Sequence, residues 1–196
     1  MIRVIVVDDH HESRQRIIGE LKAGNLINVI GEAQTSDEAL QLSEKLLPDV
    51  VLLDLHLPGL LNSVSLVQKL SALRNVKVLA FADNNKAAEV QDLLEAGASG
   101  YILKSDSSVL TRMSLLMVAR GSKNILSPAL PRQINRLTSQ ERTILRYTSR
   151  ATKPEKAATE LGITEAQLND ALSHLATKLD LGTIADLKKW AKKNGF

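Results

Sequence analysis

The sequence predicts an α/β domain on a doubly wound, five-stranded parallel sheet, followed by an all-α domain of four helices. Three observations carry that reading. Over residues 1–120 short apolar runs alternate with segments of helical periodicity. From Leu137 onward no strand pattern appears, and four helix-start signals follow one another to residue 196. Between these regions, residues 121–136 include one Gly and two Pro, the composition of a linker with a turn of helix at most.

Each element has its own justification. Strands are expected near Arg3–Val7, Val29–Ala33, Val50–Leu53, Lys77–Ala82 and Gly100–Leu103, short apolar runs bounded by turn residues. Helices are expected near Glu12–Lys22, Ser36–Leu46, Val64–Leu73, Lys86–Ala96 and Ser107–Arg120. Thr35-Ser-Asp-Glu38 is a capping box, Gly97 ends the fourth helix, and Asp106 caps the fifth. In the C-terminal part Thr138-Ser-Gln-Glu141 opens a helix to about Arg150. Thr152-Lys-Pro-Glu155 opens a second, with Pro in its first turn, ending at Leu161-Gly162. Thr164-Glu-Ala-Gln167 opens a third, to about Leu179, and Thr183-Ile-Ala-Asp186 a fourth, to about Asn194. The helix–Leu-Gly-Ile–helix step over 155–179 has the shape of a helix-turn-helix.

Composition narrows the function classes. There is no Cys, which removes disulfides and thiolate metal sites and suits a reducing cytoplasm. No apolar run reaches the ~20 residues of a membrane helix, and the chain enters a strand directly, without a signal peptide. Residues 1–136 hold 15 Lys+Arg and 15 Asp+Glu, whereas residues 137–196 hold 10 and 7, so the whole excess of +3 lies at the C-terminal end. Lys188, Lys189, Lys192 and Lys193 cluster there. Such a cluster permits nucleic-acid contact and equally describes a solvated helix face.

Four charged residues each end an apolar run: Asp8 and Asp9 after Val7, Asp54 after Leu53, and Lys104 after Leu103. In an open α/β sheet the carboxyl ends of the strands line the ligand crevice. Three carboxylates brought that close repel unless a cation sits among them, and hard Mg²⁺ suits oxygen ligands. Lys104 would then neutralise added negative charge, such as a phosphoryl group. Singly, each residue is an ordinary surface strand end; all four with this spacing are not.

These residues resemble a known family. Val7-Asp8-Asp9-His10, Leu53-Asp54-Leu-His-Leu-Pro-Gly59 and Glu95-Ala-Gly-Ala-Ser-Gly-Tyr-Ile-Leu-Lys104 are similar to the motifs of response-regulator receiver domains, which have a flavodoxin-like fold. The whole chain resembles a LuxR/FixJ-type two-component response regulator: receiver 1–120, linker 121–136, helix-turn-helix domain 137–196. The C-terminal resemblance rests on Leu137-Thr-Ser-Gln-Glu-Arg142, Ala157-Ala158, Leu161-Gly-Ile-Thr164 and Lys178-Leu179. It implies Asp54 as phosphoacceptor, Asp8, Asp9 and Asp54 as the Mg²⁺ site, and Lys104 as the phosphoryl contact. Tyr101 falls on the family's rotating aromatic. The implied partners are a histidine kinase, double-stranded DNA and a second copy of the chain. The implied role is signalling in the cytoplasm, not enzymatic turnover.

Two departures stand out. Ala82 occupies the end of the fourth strand, where the family usually has a Thr or Ser hydroxyl, so the link from phosphorylation to the next loop is weakened. In the third C-terminal helix, Leu168, Leu172, Leu175 and Leu179 have core spacing. The opposite face offers Gln167, Asn169, Ser173, His174 and Lys178 to DNA, with Asp170 among them. Gln and Asn can read adenine, but affinity depends mostly on Lys and Arg at phosphates, and this face is poor in both. The expected function is therefore phosphorylation-controlled transcription regulation. The alternative is an atypical regulator with weakened or absent phospho-switching, whose output is constitutive DNA binding or protein–protein interaction. A Mg²⁺-dependent phosphatase is disfavoured, because no second general acid is apparent and the helix-turn-helix would be unexplained.

Overall fold

The computed structural model describes residues 1–130, 137–150 and 153–196. It divides into two compact units, one of residues 1–84 and 92–129, the other of residues 85–91 and 130–196.

In the first unit the strands are β1 (Ile2–Val7), β2 (Ile27–Ala33), β3 (Val50–Leu53), β4 (Lys77–Ala82), β5 (Gly100–Leu103) and β6 (Ile125–Leu126). They form one parallel sheet in the order β2-β1-β3-β4-β5-β6. The unit's helices in chain order are α1 (His11–Lys22), α2 (Ser36–Leu46), α3 (Ser63–Ala72) and α5 (Ser108–Ala119); of α4 (Ala87–Glu95), residues 92–95 belong to this unit and residues 87–91 to the second. β3 and β5 are buried along their whole length, as expected of strands covered on both faces. Val4, Val6, Val50, Leu52, Leu79 and Ile102 pack against Ile17, Leu21, Leu115 and Val118 of α1 and α5. Strand order reverses between β1 and β3, so the crevice at their carboxyl ends is the place for a ligand.

The sheet has six strands where five were expected. Ile125–Leu126, inside the segment read as linker, pairs with Gly100 and Tyr101. Gly100 permits this approach: a Cβ there would collide with the Ile125 carbonyl. The rest of that segment, 131–136, lies outside the described residues. The cap of α5 also differs. Ser107 is the N-cap, accepting from Leu110 N–H. Asp106 instead accepts from Leu103 N–H and from the Ser127 hydroxyl, stitching β5 to the chain after β6.

The second unit contains α6 (Ser139–Arg150), α7 (Pro154–Leu161), α8 (Glu165–Lys178) and α9 (Ile184–Lys193). Thr138 and Glu141 form the expected capping box at α6. At α7 the cap is Lys153, without a side-chain bond, and Pro154 is the first helical residue. The expected box at Thr152 falls outside the described residues. Gly162 ends α7 with φ +67°, a left-handed conformation that suits glycine. Gly162 N–H donates to the Thr159 carbonyl and Ile163 N–H to that of Ala158, closing the turn before Thr164 caps α8. Leu168, Leu172, Leu175 and Leu179 are buried, as their spacing predicted, together with Leu145, Ala157 and Leu187.

Candidate functional site

Backbone ladders set the positions of the four charged residues. Beyond the strand ends, Asp8 N–H donates to the Ala33 carbonyl, Asp54 N–H to Val7, and Lys104 N–H to Ala82. Each strand therefore delivers its polar residue at a fixed level of the sheet. Asp8 and Asp54 are buried, 0% and 2% exposed, which makes charge compensation obligatory.

Lys104 supplies it. Its Nζ lies 2.8 Å from Asp54 Oδ2 and 3.0 Å from Asp8 Oδ2, with Asp83 Oδ2 farther out at 3.8 Å. Asp54 Oδ1 accepts from Leu55 N–H at 2.6 Å. Asp8 also accepts from the Ser13 hydroxyl and His10 N–H, each at 2.8 Å. Burial alone would raise the Asp8 pKa; the bonds from Lys104, Ser13 and His10 N–H outweigh it and hold the carboxyl below its usual range. Burial alone would lower the Lys104 pKa; the Asp54 and Asp8 carboxylates overcome this and hold the ammonium above its usual value.

One oxygen each from Asp8 and Asp9 and one ring nitrogen of His10 lie within 4.8 Å of one another. Two hard carboxylates in that group fit a hard cation such as Mg²⁺. Asp54, expected as a third metal ligand, is not in this group, and its oxygens accept from Lys104 and from Leu55 N–H. His10 Nδ1 sits 2.6 Å from Asp9 Oδ1, a contact not anticipated. An open cleft of about 660 Å³ adjoins the site, lined by His10, His11, Arg16 and Lys104 among others.

Ala82 is fully buried at the end of β4, beside Leu103, and presents a methyl group where a hydroxyl was looked for. Tyr101 is fully buried, its hydroxyl donating to the Asn84 carbonyl at 2.8 Å.

Of the five α8 residues expected to face DNA, Gln167, Asn169, Ser173 and His174 are exposed and Lys178 is half-buried, and three of the five are engaged within the unit. Gln167 Oε1 accepts from Thr164 N–H at 2.9 Å and from the Thr164 hydroxyl at 3.2 Å. The carbonyl needed to accept from adenine N6 is thus spent on the capping box. The Ser173 hydroxyl donates to the Asn169 carbonyl. Lys178 Nζ contacts both Glu141 oxygens, at 2.7 and 2.8 Å. Asn169, Asp170 and His174 are exposed, as are Lys188, Lys189, Lys192 and Lys193 of α9.

The family model for the response regulator receiver domain matches residues 4–113, more than half of the chain. The chain belongs to this family. Among curated relatives, the nitrate/nitrite response regulator protein NarL of Escherichia coli is 28% identical, covering 95% of this chain and 93% of its own. The transcriptional regulatory protein LiaR of Bacillus subtilis is 27% identical, covering 99% and 98%. Both relatives are named as regulators. Among solved structures, RcsB of Salmonella enterica serovar Typhimurium, bound to a promoter in the presence of a phosphomimetic, superposes with a TM-score of 0.66 at 20% identity. It covers 97% of this chain and 98% of its own, and shows the shared fold. Among the described residues no helix is long and apolar enough to cross a membrane.

Sequence reasoning missed Ser13 and Arg14 of this receiver. Ser13 fixes one Asp8 oxygen, and Arg14 donates to the Asp8 carbonyl at 2.6 Å. Both lie in the first turn of α1, directly after the acidic pair, which was the available signal.

Proposed function

We propose that this response regulator accepts a phosphoryl group on Asp54 and regulates transcription by binding DNA through its C-terminal helices. The observation that carries the reading is the Lys104 ammonium, within hydrogen-bonding distance of both Asp54 and Asp8 at the carboxyl end of the sheet. The donor is a phosphohistidine on a histidine kinase. An Asp54 oxygen attacks phosphorus in line, the P–N bond breaks, and the imidazole leaves. Lys104 moves from balancing a carboxylate to balancing the phosphoryl oxygens, and charge stabilisation of this kind is what phosphoryl transfer requires. Asp8, Asp9 and Asp54 would hold Mg²⁺, which neutralises charge on the transferring oxygens when bound. Hydrolysis of the acyl phosphate resets the protein.

The output is assigned to residues 137–196, acting as a homodimer on two-fold related half-sites. Asn169 and His174 face the bases; Gln167 and Ser173 contribute through the groups their own helix leaves available. Lys178 reaches phosphate only by leaving Glu141, so the α9 lysines supply most of the phosphate contacts. Ala82, Asp170 and the Glu141–Lys178 pair favour a second reading, an atypical regulator with weak phospho-switching and an output through constitutive DNA binding or protein docking.

The test is incubation with acetyl phosphate and Mg²⁺ followed by intact mass measurement. The wild type gains one phosphoryl group and Asp54→Asn gains none; an adduct persisting in the variant would refute the assignment. Calorimetric titration should show Mg²⁺ binding that Asp9→Ala abolishes.

A further inference from the structure

Asp83 is a carboxylate at the crevice for which acceptance of a phosphoryl group has no use. It follows Ala82 at the end of β4, whose carbonyl accepts from Lys104 N–H at 2.8 Å, so the backbone brings the two charged residues to one level of the sheet. Asp83 Oδ2 lies 3.8 Å from Lys104 Nζ, the ammonium that contacts Asp54 and Asp8. The side chains of Asp54 and Asp8 are buried, whereas that of Asp83 is 72% exposed. Lys104 therefore joins two buried carboxylates to a solvated one. At 3.8 Å the ammonium is beyond hydrogen-bonding distance of Asp83, and among the described residues no other group holds that carboxylate. Its lone pairs face the open cleft, which it lines with His10, Ser13 and Lys104.

We propose, on the reading of Asp54 as phosphoacceptor, that Asp83 is the general base for hydrolysis of the acyl phosphate, so that the chain limits the lifetime of its own signal. In-line displacement brings water to phosphorus opposite the Asp54 oxygen. Asp54 is buried, so the opposite side is the one on which the cleft opens. The bond from water oxygen to phosphorus forms as the bond from phosphorus to Asp54 breaks, and its electron pair returns to the Asp54 carboxylate. One water proton passes to an Asp83 oxygen, inorganic phosphate leaves, and exposed Asp83 releases the proton to bulk water. Lys104 steadies the charge on the phosphoryl oxygens but, as an ammonium, cannot take the proton. Neutral water attacks well only if a positioned group removes its proton as the bond forms. The cleft holds three other candidate bases. His10 and His11 have Nδ1 beside Asp9 and Arg14, and Glu12 has no contact with Lys104 or Asp54. Of the four, Asp83 is the one that lies against the ammonium serving Asp54.

The test follows the life of the adduct. The full chain is charged with acetyl phosphate and Mg²⁺, freed of donor by rapid desalting, and sampled by intact mass over time. A positioned base contributes about 10²–10⁴-fold, so Asp83→Asn and Asp83→Ala should each keep the adduct about tenfold longer or more. Asp83→Glu, which retains the base, should decay close to the wild-type rate. Deuterium oxide should slow the wild type more than Asp83→Asn, because only the wild type moves a proton to the protein as the bond forms. Uptake of the phosphoryl group by each variant, with unchanged far-ultraviolet circular dichroism, shows that it is folded. Equal decay in wild type and Asp83→Asn would overturn the proposal. So would a slower Asp83→Asn with an unchanged deuterium effect, which would assign the difference to charge repulsion between Asp83 and the phosphoryl group. Either result leaves Asp54 as the phosphoacceptor. A wild type that takes no phosphoryl group, or an adduct that persists in Asp54→Asn, would instead overturn the phosphoacceptor reading and the role of Asp83 with it.

Discussion

At the carboxyl end of the sheet, ionisable side chains from three strands converge on one another. On α8, polar side chains from one helix turn to partners within their own framework. The difference lies in what fixes them. Asp8, Asp54 and Lys104 stand one residue beyond strands whose register is set by a continuous ladder, so their meeting follows from the backbone. Being buried, they must satisfy one another. Gln167, Ser173 and Lys178 are under no such constraint and take the nearest partner, the Thr164 cap, the Asn169 carbonyl and Glu141. On the proposed function, the first region is organised before a phosphoryl group arrives, whereas the second would give up internal bonds to meet DNA. Reorganisation of that kind subtracts from affinity.

The largest test of this contrast is Lys104→Met. It leaves Asp8 and Asp54 buried side by side without their cation. Removing one partner of a buried charge set costs ~3–5 kcal/mol, so the metal-free variant should lose stability of that order in urea unfolding. Because Mg²⁺ would restore a positive charge, it should recover part of the loss. A variant as stable as wild type without Mg²⁺ would show that the ammonium is not what holds the carboxylates together.

Next in size is Asp170→Lys on the α8 face. On the proposed DNA-binding face, it replaces a carboxylate with an ammonium. DNA affinity at low salt should rise on the order of tenfold across sequences, with a steeper salt dependence, because a phosphate contact carries no base information. Fluorescence anisotropy at two salt concentrations reads both quantities. A gain confined to one sequence would place Asp170 against a base instead.

What could be read from the chain follows the same division. β3, β4 and β5 end where the apolar runs end, because the first polar residue after each run is the one the crevice receives. β6 was not legible: two apolar residues near a Gly and a Pro carry no strand signal, and their pairing depends on the bare Cα of Gly100 on another strand. At α5, Asp106 and Ser107 are equally good caps by type, and the bonds Asp106 accepts from Leu103 N–H and from the Ser127 hydroxyl, the latter distant in sequence, decide between them. Gln167 is instructive because both of its readings were present in the sequence. The capping box is local and forms with the helix, so it takes the carbonyl first. Lys178 could not be read at all, since its partner is 37 residues away on another helix.

The Glu141–Lys178 pair gives a smaller, pH-dependent test. Burial alone would raise the Glu141 pKa, but Lys178 and the Thr138 N–H and hydroxyl outweigh it and hold the carboxyl below its usual 4.5. A depressed carboxyl contributes stability that is present above its unfolded pKa and lost as pH falls through the folded value. Glu141→Gln should therefore destabilise the protein by about 1 kcal/mol at neutral pH. The gap to wild type should close on acidification below the ordinary glutamate range. A gap independent of pH would assign the loss to packing, since Gln can still form the capping box. The same variant releases Lys178, so DNA affinity should rise slightly if that ammonium reaches phosphate.

The smallest expected effect is also the one that joins the two regions. A switch needs a ligand that interacts differently with two states. In this chain the end of β4 offers the phosphoryl group only the Ala82 methyl, while Tyr101 is already buried with its hydroxyl on the Asn84 carbonyl. One differential contact is absent, so phosphorylation should change DNA affinity by about 1 kcal/mol or less, against the ~1–3 kcal/mol usual for allosteric coupling. Ala82→Thr adds a hydroxyl at that position and should enlarge the response. Its side chain enters a fully buried site, so a thermal melt must first show that the variant is folded. The comparison is then anisotropy on one selected duplex, for both proteins, with and without acetyl phosphate. A hundredfold response in the wild type would show that coupling needs no hydroxyl at residue 82. An equal, small response in both proteins would place the weak step downstream, at the bonds Gln167 and Lys178 must break before DNA is met.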